Sequence, residues 1–290
     1  MALSIQSNMA SMSIQNQLGR SNDSLSTALE RLGSGFRINS AKDDAAGLQI
    51  ASRLNAQVKG QEAGIYNGNN AMSMMQTAEG AFDEMTNIAF RMKELATQGA
   101  SDANGDTEWL AQSAEFSALS AELTSIMENT SFGGTDLLDT ADKFGAGAVS
   151  FQVGSSTAET LAVNISTDLA AVKTAMTASS SRAATGTSTT NGTFSNVADA
   201  QAQLGLVDTI IGSIGSARSA LGASMNRLEH TMTNVTNMKE NTQAASSTLM
   251  DADFAAETSN MTKQQLLMNS GISVLSTANS TTQMIGSLLN

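Results

Sequence analysis

The chain has no cysteine, no proline and only one histidine, one tryptophan and one tyrosine among its 290 residues. Without cysteine there is no disulfide framework, no thiolate metal site and no cysteine nucleophile. A single histidine, His230, excludes HExxH zinc sites and histidine-based triads within one chain. It falls on the helix face opposite the Leu228–Met232 stripe and reads as a solvated surface residue. Aromatics are 4% of the residues, which argues against a thick core and for thin, close-packed helix seams. Positive charge is scarce too: 15 Lys and Arg face 27 Asp and Glu, for a net charge of −12. That balance disfavours nucleic acid, whose phosphates need a basic patch, and equally disfavours anionic membrane surfaces. No stretch approaches the roughly 18 apolar residues of a membrane span. The opening MALSIQSNMASMSIQNQLGR has neither the basic start nor the apolar centre of a secretory signal peptide. These signals predict a soluble protein that, if exported, leaves by another route.

What the chain does have is alanine, 17 methionines and hydrophobic residues at helical spacing, and with no proline these suit long helices. Ala71, Met74, Ala78, Ala81, Met85, Ile88, Met92 and Leu95 follow alternating steps of three and four. Trp109, Phe116, Leu119, Leu123 and Ile126 repeat the rhythm. It is longest over Leu204, Val207, Ile211, Ile214, Leu221, Met225, Leu228, Met232 and Val235, which only Arg218 interrupts. Such stripes are coiled-coil seams. One helix over 41–98 would be about 90 Å long at roughly 1.5 Å per residue. The termini carry weaker heptads, with Leu18, Leu25 and Leu32 at one end and Met261, Met268, Leu275 and Leu289 at the other. Marginal helices of this kind are expected to order only against partners.

The middle of the chain differs. Ser131-Phe132-Gly133-Gly134 reads as a turn. Phe151 and Val153, then Leu161, Val163 and Ile165, alternate at period two and predict a β-hairpin near 150–166. Residues 168–178 are helical or ambiguous, and the low-complexity stretch 177–196 predicts a mobile polar surface loop. Five segments result: 1–40, 41–176, 177–196, 197–250 and 251–290. The fold class expected is mainly α, an elongated antiparallel coiled-coil or helical-bundle rod with a small β-hairpin region.

Only 14% of the residues are charged, yet Arg37, Lys42, Asp43 and Asp44 fall within eight positions. Ser40-x-x-Asp43 has the pattern of a capping box, and both aspartates suit the positive end of a helix dipole. The cluster reads as a helix start. A sharper alternative adds that Arg37 and Lys42 meet carboxylates of a neighbouring subunit. Asp102, Asn104 and Asp106 resemble the start of a calcium loop, but Thr107 stands where glycine is needed and Ser113 where glutamate is. A polar interhelical turn is the better reading. Gly60, Gly64 and Gly68 predict a close backbone approach to another helix. No residue pattern calls for a cofactor or a metal.

ERLGSGFRINSAKDDAAGLQIASRL (30–54), SALGASMNRLEHTMTNV (219–235), ADFAAETSNMTKQQLLMNSGISVLSTAN (252–279) and the final SLLN together resemble bacterial flagellin. The resemblance covers about residues 1–140 and 197–290, and the short middle makes the chain similar to a minimal flagellin without large outer domains. It implies a structural, non-enzymatic protein that leaves the cell unfolded through the flagellar type III apparatus. It polymerises with itself into the extracellular filament that gives motility. The terminal segments would pair as an inner coiled coil, disordered in the free monomer, with the 34–46 cluster as a spoke between tubes.

The implied partners are hook-associated junction and cap proteins, and a secretion chaperone on the C-terminal helix at about 250–290. A further implied partner is the vertebrate Toll-like receptor that senses flagellin, with Arg91, Leu95 and Glu115 at the family's contact positions. Outer hydroxyls of the family carry O-linked glycans, so Thr177, Ser179, Ser180, Ser181, Thr185, Thr187 and Ser188 are candidates. The alternatives are a hook–filament junction adaptor of the same superfamily and a flagellin with a protease in its middle. The single histidine and the short middle argue against the protease.

Overall fold

The computed structural model describes residues 8–185 and 196–288. It is mainly α, with six helices and two small antiparallel strand pairs among the described residues. The helices are α1 (Met9–Ser34), α2 (Ala45–Gly99), α3 (Asp106–Asn129), α4 (Ser166–Thr185), α5 (Val197–Met250) and α6 (Phe254–Leu288). The strands are β1 (Ser131–Phe132), β2 (Thr135–Asp136), β3 (Val149–Gln152) and β4 (Thr160–Val163). The chain divides into two compact units: the described residues up to Val58 with those from Glu240 onward, and Lys59–Lys239.

The Lys59–Lys239 unit holds the hydrophobic core. The predicted stripes supply it: Met85, Met92 and Leu95 of α2, Phe116 and Leu123 of α3, and Val207, Ile214 and Leu221 of α5 are all buried. The alternation around the hairpin also has a physical basis. Leu161 and Val163 point inward from β4, whose neighbours Thr160 and Ala162 are exposed. Strands β3 and β4 pair with Val149 opposite Val163 and Gln152 opposite Thr160. The Ser131–Gly134 turn joins β1 to β2, and Gly133 and Gly134 both adopt positive φ, +60° and +79°. That backbone is the one a two-residue hairpin of primed type requires.

Two sequence expectations are corrected here. The glycine run of α2 approaches the β3–β4 hairpin more than it does a helix. A β-carbon on Gly60 would lie 2.6 Å from the Ser155 side chain and one on Gly64 would lie 2.5 Å from the Val153 carbonyl oxygen. Gly68 alone of the three meets a helix, at Met232 of α5. Second, the stretch from residue 177 does not open as a loop. Helix α4 continues to Thr185. Its hydroxyls are absorbed locally, since Thr174 and Thr177 donate to the carbonyls of Ala170 and Lys173 at 2.7 and 2.8 Å. Its inner face, with Leu169, Val172, Ala175, Met176 and Ser179, is buried. The remainder of that predicted loop, 186–195, lies outside the described residues.

Candidate assembly interface

In the other unit, α1 and α6 run antiparallel. Asn8 donates to the Ala278 carbonyl at 3.1 Å, Leu18 lies against Gly271, and Arg31 pairs with Glu257 at 2.9 Å. A β-carbon on Gly271 would sit 2.8 Å from Leu18 Cδ2, so the glycine lets the helices approach here without moving that leucine. The terminal heptads form this seam: Ile14, Leu18 and Leu25 of α1 and Met261, Met268 and Leu275 of α6 are half-buried. Few side chains are buried further. Only Ser11, Ser21 and Ala28 of α1 reach full burial, and among the described side chains of α6 only Glu257 does.

The outward surfaces of this helix pair are mostly Ser, Thr, Asn and Gln, with large apolar side chains left uncovered among them. Leu29 on α1 and Phe254, Leu266, Leu267, Ile272 and Val274 on α6 are between 43% and 69% exposed. Leu266 and Leu267 with Thr258, Thr262, Lys263 and Ser270 line a shallow hollow of about 670 Å³ along α6.

The charge cluster sits in the connection between α1 and α2. Gly35, at φ +77°, ends α1 in the left-handed conformation and donates to the Arg31 carbonyl at 2.8 Å. The chain then pairs with the α5–α6 connection. Arg37 N–H donates to the Met250 carbonyl at 2.6 Å, and Ala252 N–H donates to the Gly35 carbonyl at 2.9 Å. The Arg37 guanidinium donates to the Leu249 carbonyl at 2.9 Å. It therefore supplies positive charge where the carboxyl end of α5 carries its partial negative charge.

The expected capping box takes a different form. The Asp43 carboxylate accepts from the amides of Ser40 and Asn39 at 2.9 and 3.2 Å and from the Ser40 hydroxyl at 3.0 Å. Ser40 is thus a donor to a tight turn. The cap of α2 is Asp44, which accepts from the Gly47 amide at 2.8 Å. The bonds from Ser40, first through its backbone amide and then through its hydroxyl, hold the Asp43 carboxyl below its ordinary value of 3.8. Lys42 is exposed and forms no ion pair among the described residues. Ile38 is buried beneath this turn. The sequence reading also missed Asp253, whose carboxylate caps α6 through the amides of Ala255 and Ala256. Its place two residues ahead of the Ala255-Ala256 run was the available signal.

The other predicted residues lie in the Lys59–Lys239 unit. Arg91 on α2 is exposed and bridges Glu94 and Glu115 at 2.9 and 2.8 Å. Leu95 does not share that surface: it is 2% exposed, because it belongs to the buried stripe of α2. Thr177 is exposed on α4. Ser179 is fully buried, donates from its hydroxyl to the Gln203 side chain at 2.8 Å and accepts from that side chain on its carbonyl at 3.0 Å. It is therefore corrected as a glycosylation candidate. Ser180, Ser181 and Thr185 fall on the same helix; Thr187 and Ser188 lie outside the described residues. His230 is exposed. The stretch 102–108 forms the turn into α3, where the Glu108 carboxylate accepts from the Gly105 amide at 3.1 Å and from the Thr107 hydroxyl. Among the described residues no cluster of three or more acidic or histidine side chains is placed to hold a metal ion. Among them, too, no helix is long and apolar enough to cross a membrane.

The family model for the bacterial flagellin N-terminal helical region matches residues 5–143. The one for the bacterial flagellin C-terminal helical region matches 204–289. The chain is 36% identical to a flagellin of Listeria monocytogenes, an alignment that takes in 99% of this chain and 100% of that one. It is 36% identical to a flagellin of Halalkalibacterium halodurans over 98% of this chain and 99% of that one. Flagellin A of Vibrio anguillarum is 31% identical, with 96% of this chain and 97% of the relative aligned. Among solved structures, one described as a putative flagellar hook-associated protein from Vibrio parahaemolyticus shares the fold at 14% identity. Its TM-score is 0.54, with 71% of this chain and 99% of that chain covered.

Proposed function

The chain belongs to the bacterial flagellin family, and from that premise we propose that it polymerises through the α1–α6 helix pair and its exposed apolar side chains. It is a structural subunit of the extracellular flagellar filament and not an enzyme. The observation that carries the proposal is the contrast between the two units. One has a hydrophobic core of its own, although Tyr66, Phe90 and Leu110 are exposed on it; the other has no such core and leaves Phe254, Leu266, Leu267, Ile272 and Val274 exposed on α6. A helix pair with only a half-buried seam and uncovered apolar side chains is completed by further copies of itself. A contact between different patches on successive copies does not close and grows a helical filament. The test is electron microscopy of the purified chain after seeding with filament fragments. Helical filaments of seed diameter are expected, and persistence of monomer above seed concentration would refute the proposal.

The same α6 face, before assembly, suits an export chaperone, which would cover the leucines until secretion. Recognition by the vertebrate flagellin-sensing receptor is proposed for the exposed Arg91–Glu115 pair. Leu95 would act only from beneath it, as packing. Arg91→Ala is expected to lower receptor signalling by monomer at least about tenfold, the effect of losing a charged anchor. Its melting should be unchanged, because exposed ion pairs contribute little.

A further inference from the structure

Among the described residues only three methionines are more than half exposed: Met9 at 65%, Met12 at 54% and Met284 at 59%. The other described methionines are buried or half-buried, Met75 and Met85 completely. Met9 and Met12 open α1 and Met284 lies near the far end of α6, so all three fall at one end of the antiparallel pair, where Asn8 reaches Ala278. We propose that this cluster is an oxidant-sensitive modification site that controls assembly. The proposal rests on the reading of α1 and α6 as the polymerising faces.

The chemistry is a two-electron oxygen transfer from a peroxide. The thioether sulfur attacks one peroxide oxygen, an S–O bond forms, the O–O bond breaks, and the products are methionine sulfoxide and water. The sulfur is oxidised and the peroxide reduced. Susceptibility follows exposure, so these three react before the buried methionines. The sulfoxide turns a flexible apolar side chain into a polar one. Burying that polar oxygen between subunits without a partner opposes assembly. In a finished filament the same side chains are covered, so the site is open only before incorporation.

The test uses the full chain treated with dilute hydrogen peroxide as monomer and as filament, with peptide mass mapping and seeded polymerisation. In the monomer, sulfoxide is expected at Met9, Met12 and Met284 ahead of Met85 and Met92. The critical concentration should rise at least about fivefold, as one polar group buried without a partner implies. In the filament the three should resist oxidation. The triple variant Met9→Leu, Met12→Leu, Met284→Leu keeps side-chain volume, and its critical concentration, whatever its untreated value, should not change with peroxide. Methionine sulfoxide reductases should restore the oxidised parent, which decides the matter even if the triple variant assembles poorly. Equal peroxide sensitivity of parent and triple variant would overturn the inference, as would equal oxidation in filament and monomer. Failure of the untreated parent to assemble from seeds would instead overturn the polymerisation reading beneath it.

Discussion

The Asp44 carboxylate holds the first turn of α2 through the Gly47 amide. Asp44→Ala should therefore lower monomer stability by about 0.5–2 kcal/mol, the usual loss of an N-cap. Ser40→Ala should cost less, since its amide still reaches Asp43. Glycines along α2 separate in the same way. Gly64→Ala would drive a β-carbon into the Val153 carbonyl and should cost about 1–3 kcal/mol. Gly80 has open space around it and should gain up to about 1 kcal/mol as alanine. Chemical denaturation of the four variants checks these signs. Acid behaviour follows from Asp139. The ammonium of Lys173, helped by the Thr140 amide, holds its carboxyl below 3.8. A carboxyl lowered in the folded state binds fewer protons there than in the unfolded chain. Its stabilisation is present above the ordinary carboxylate range and is lost as pH falls through the folded value. Lys173→Met should weaken that acid dependence while leaving the other carboxylates to titrate as before. An unchanged pH profile would show that the pair plays no part.

Helix α4 shows what an element needs beyond its composition. The run from Thr177 is rich in serine and threonine and reads as loop if only composition is weighed. The period of its buried face, which continues from Leu169 through Ser179, is what keeps it helical. Ser179 and Gln203 satisfy each other inside the seam. Ser179→Ala should leave part of the Gln203 amide unpaired and cost about 1–3 kcal/mol. Glycopeptide mapping of native filaments should find no sugar on Ser179. The seams themselves were legible, because a three-four step repeated over Leu204–Val235 has few other physical readings. The cap at Asp44 was not, since the Ser40-x-x-Asp43 spacing fits a capping box as well as the observed turn, in which Ser40 donates and Asp43 accepts. Nor was the Arg37 contact with Leu249, which joins groups 212 positions apart in the chain. The burial of Leu95 could have been read from its place in the α2 stripe. Resemblance to a receptor-contacting position pointed the other way.

For the whole molecule, the proposed basis of filament growth is the division between a unit with its own hydrophobic core and one without. The first needs no neighbour to bury its apolar stripes. The second holds its helices together by a thin seam, one Arg31–Glu257 pair and the Gly35–Arg37 pairing with the α5–α6 connection. Small losses on its outer faces should leave folding of the first unit intact and still prevent polymerisation, because the same loss recurs at every subunit. The most direct measurement is the critical concentration for seeded growth of a Leu266→Asp, Ile272→Asp double variant beside the parent, with thermal melting of both monomers. The account predicts a critical concentration raised at least about tenfold, equivalent to about 1.4 kcal/mol per subunit, with the main melting transition unmoved. Parent-like critical concentration in the variant would contradict it.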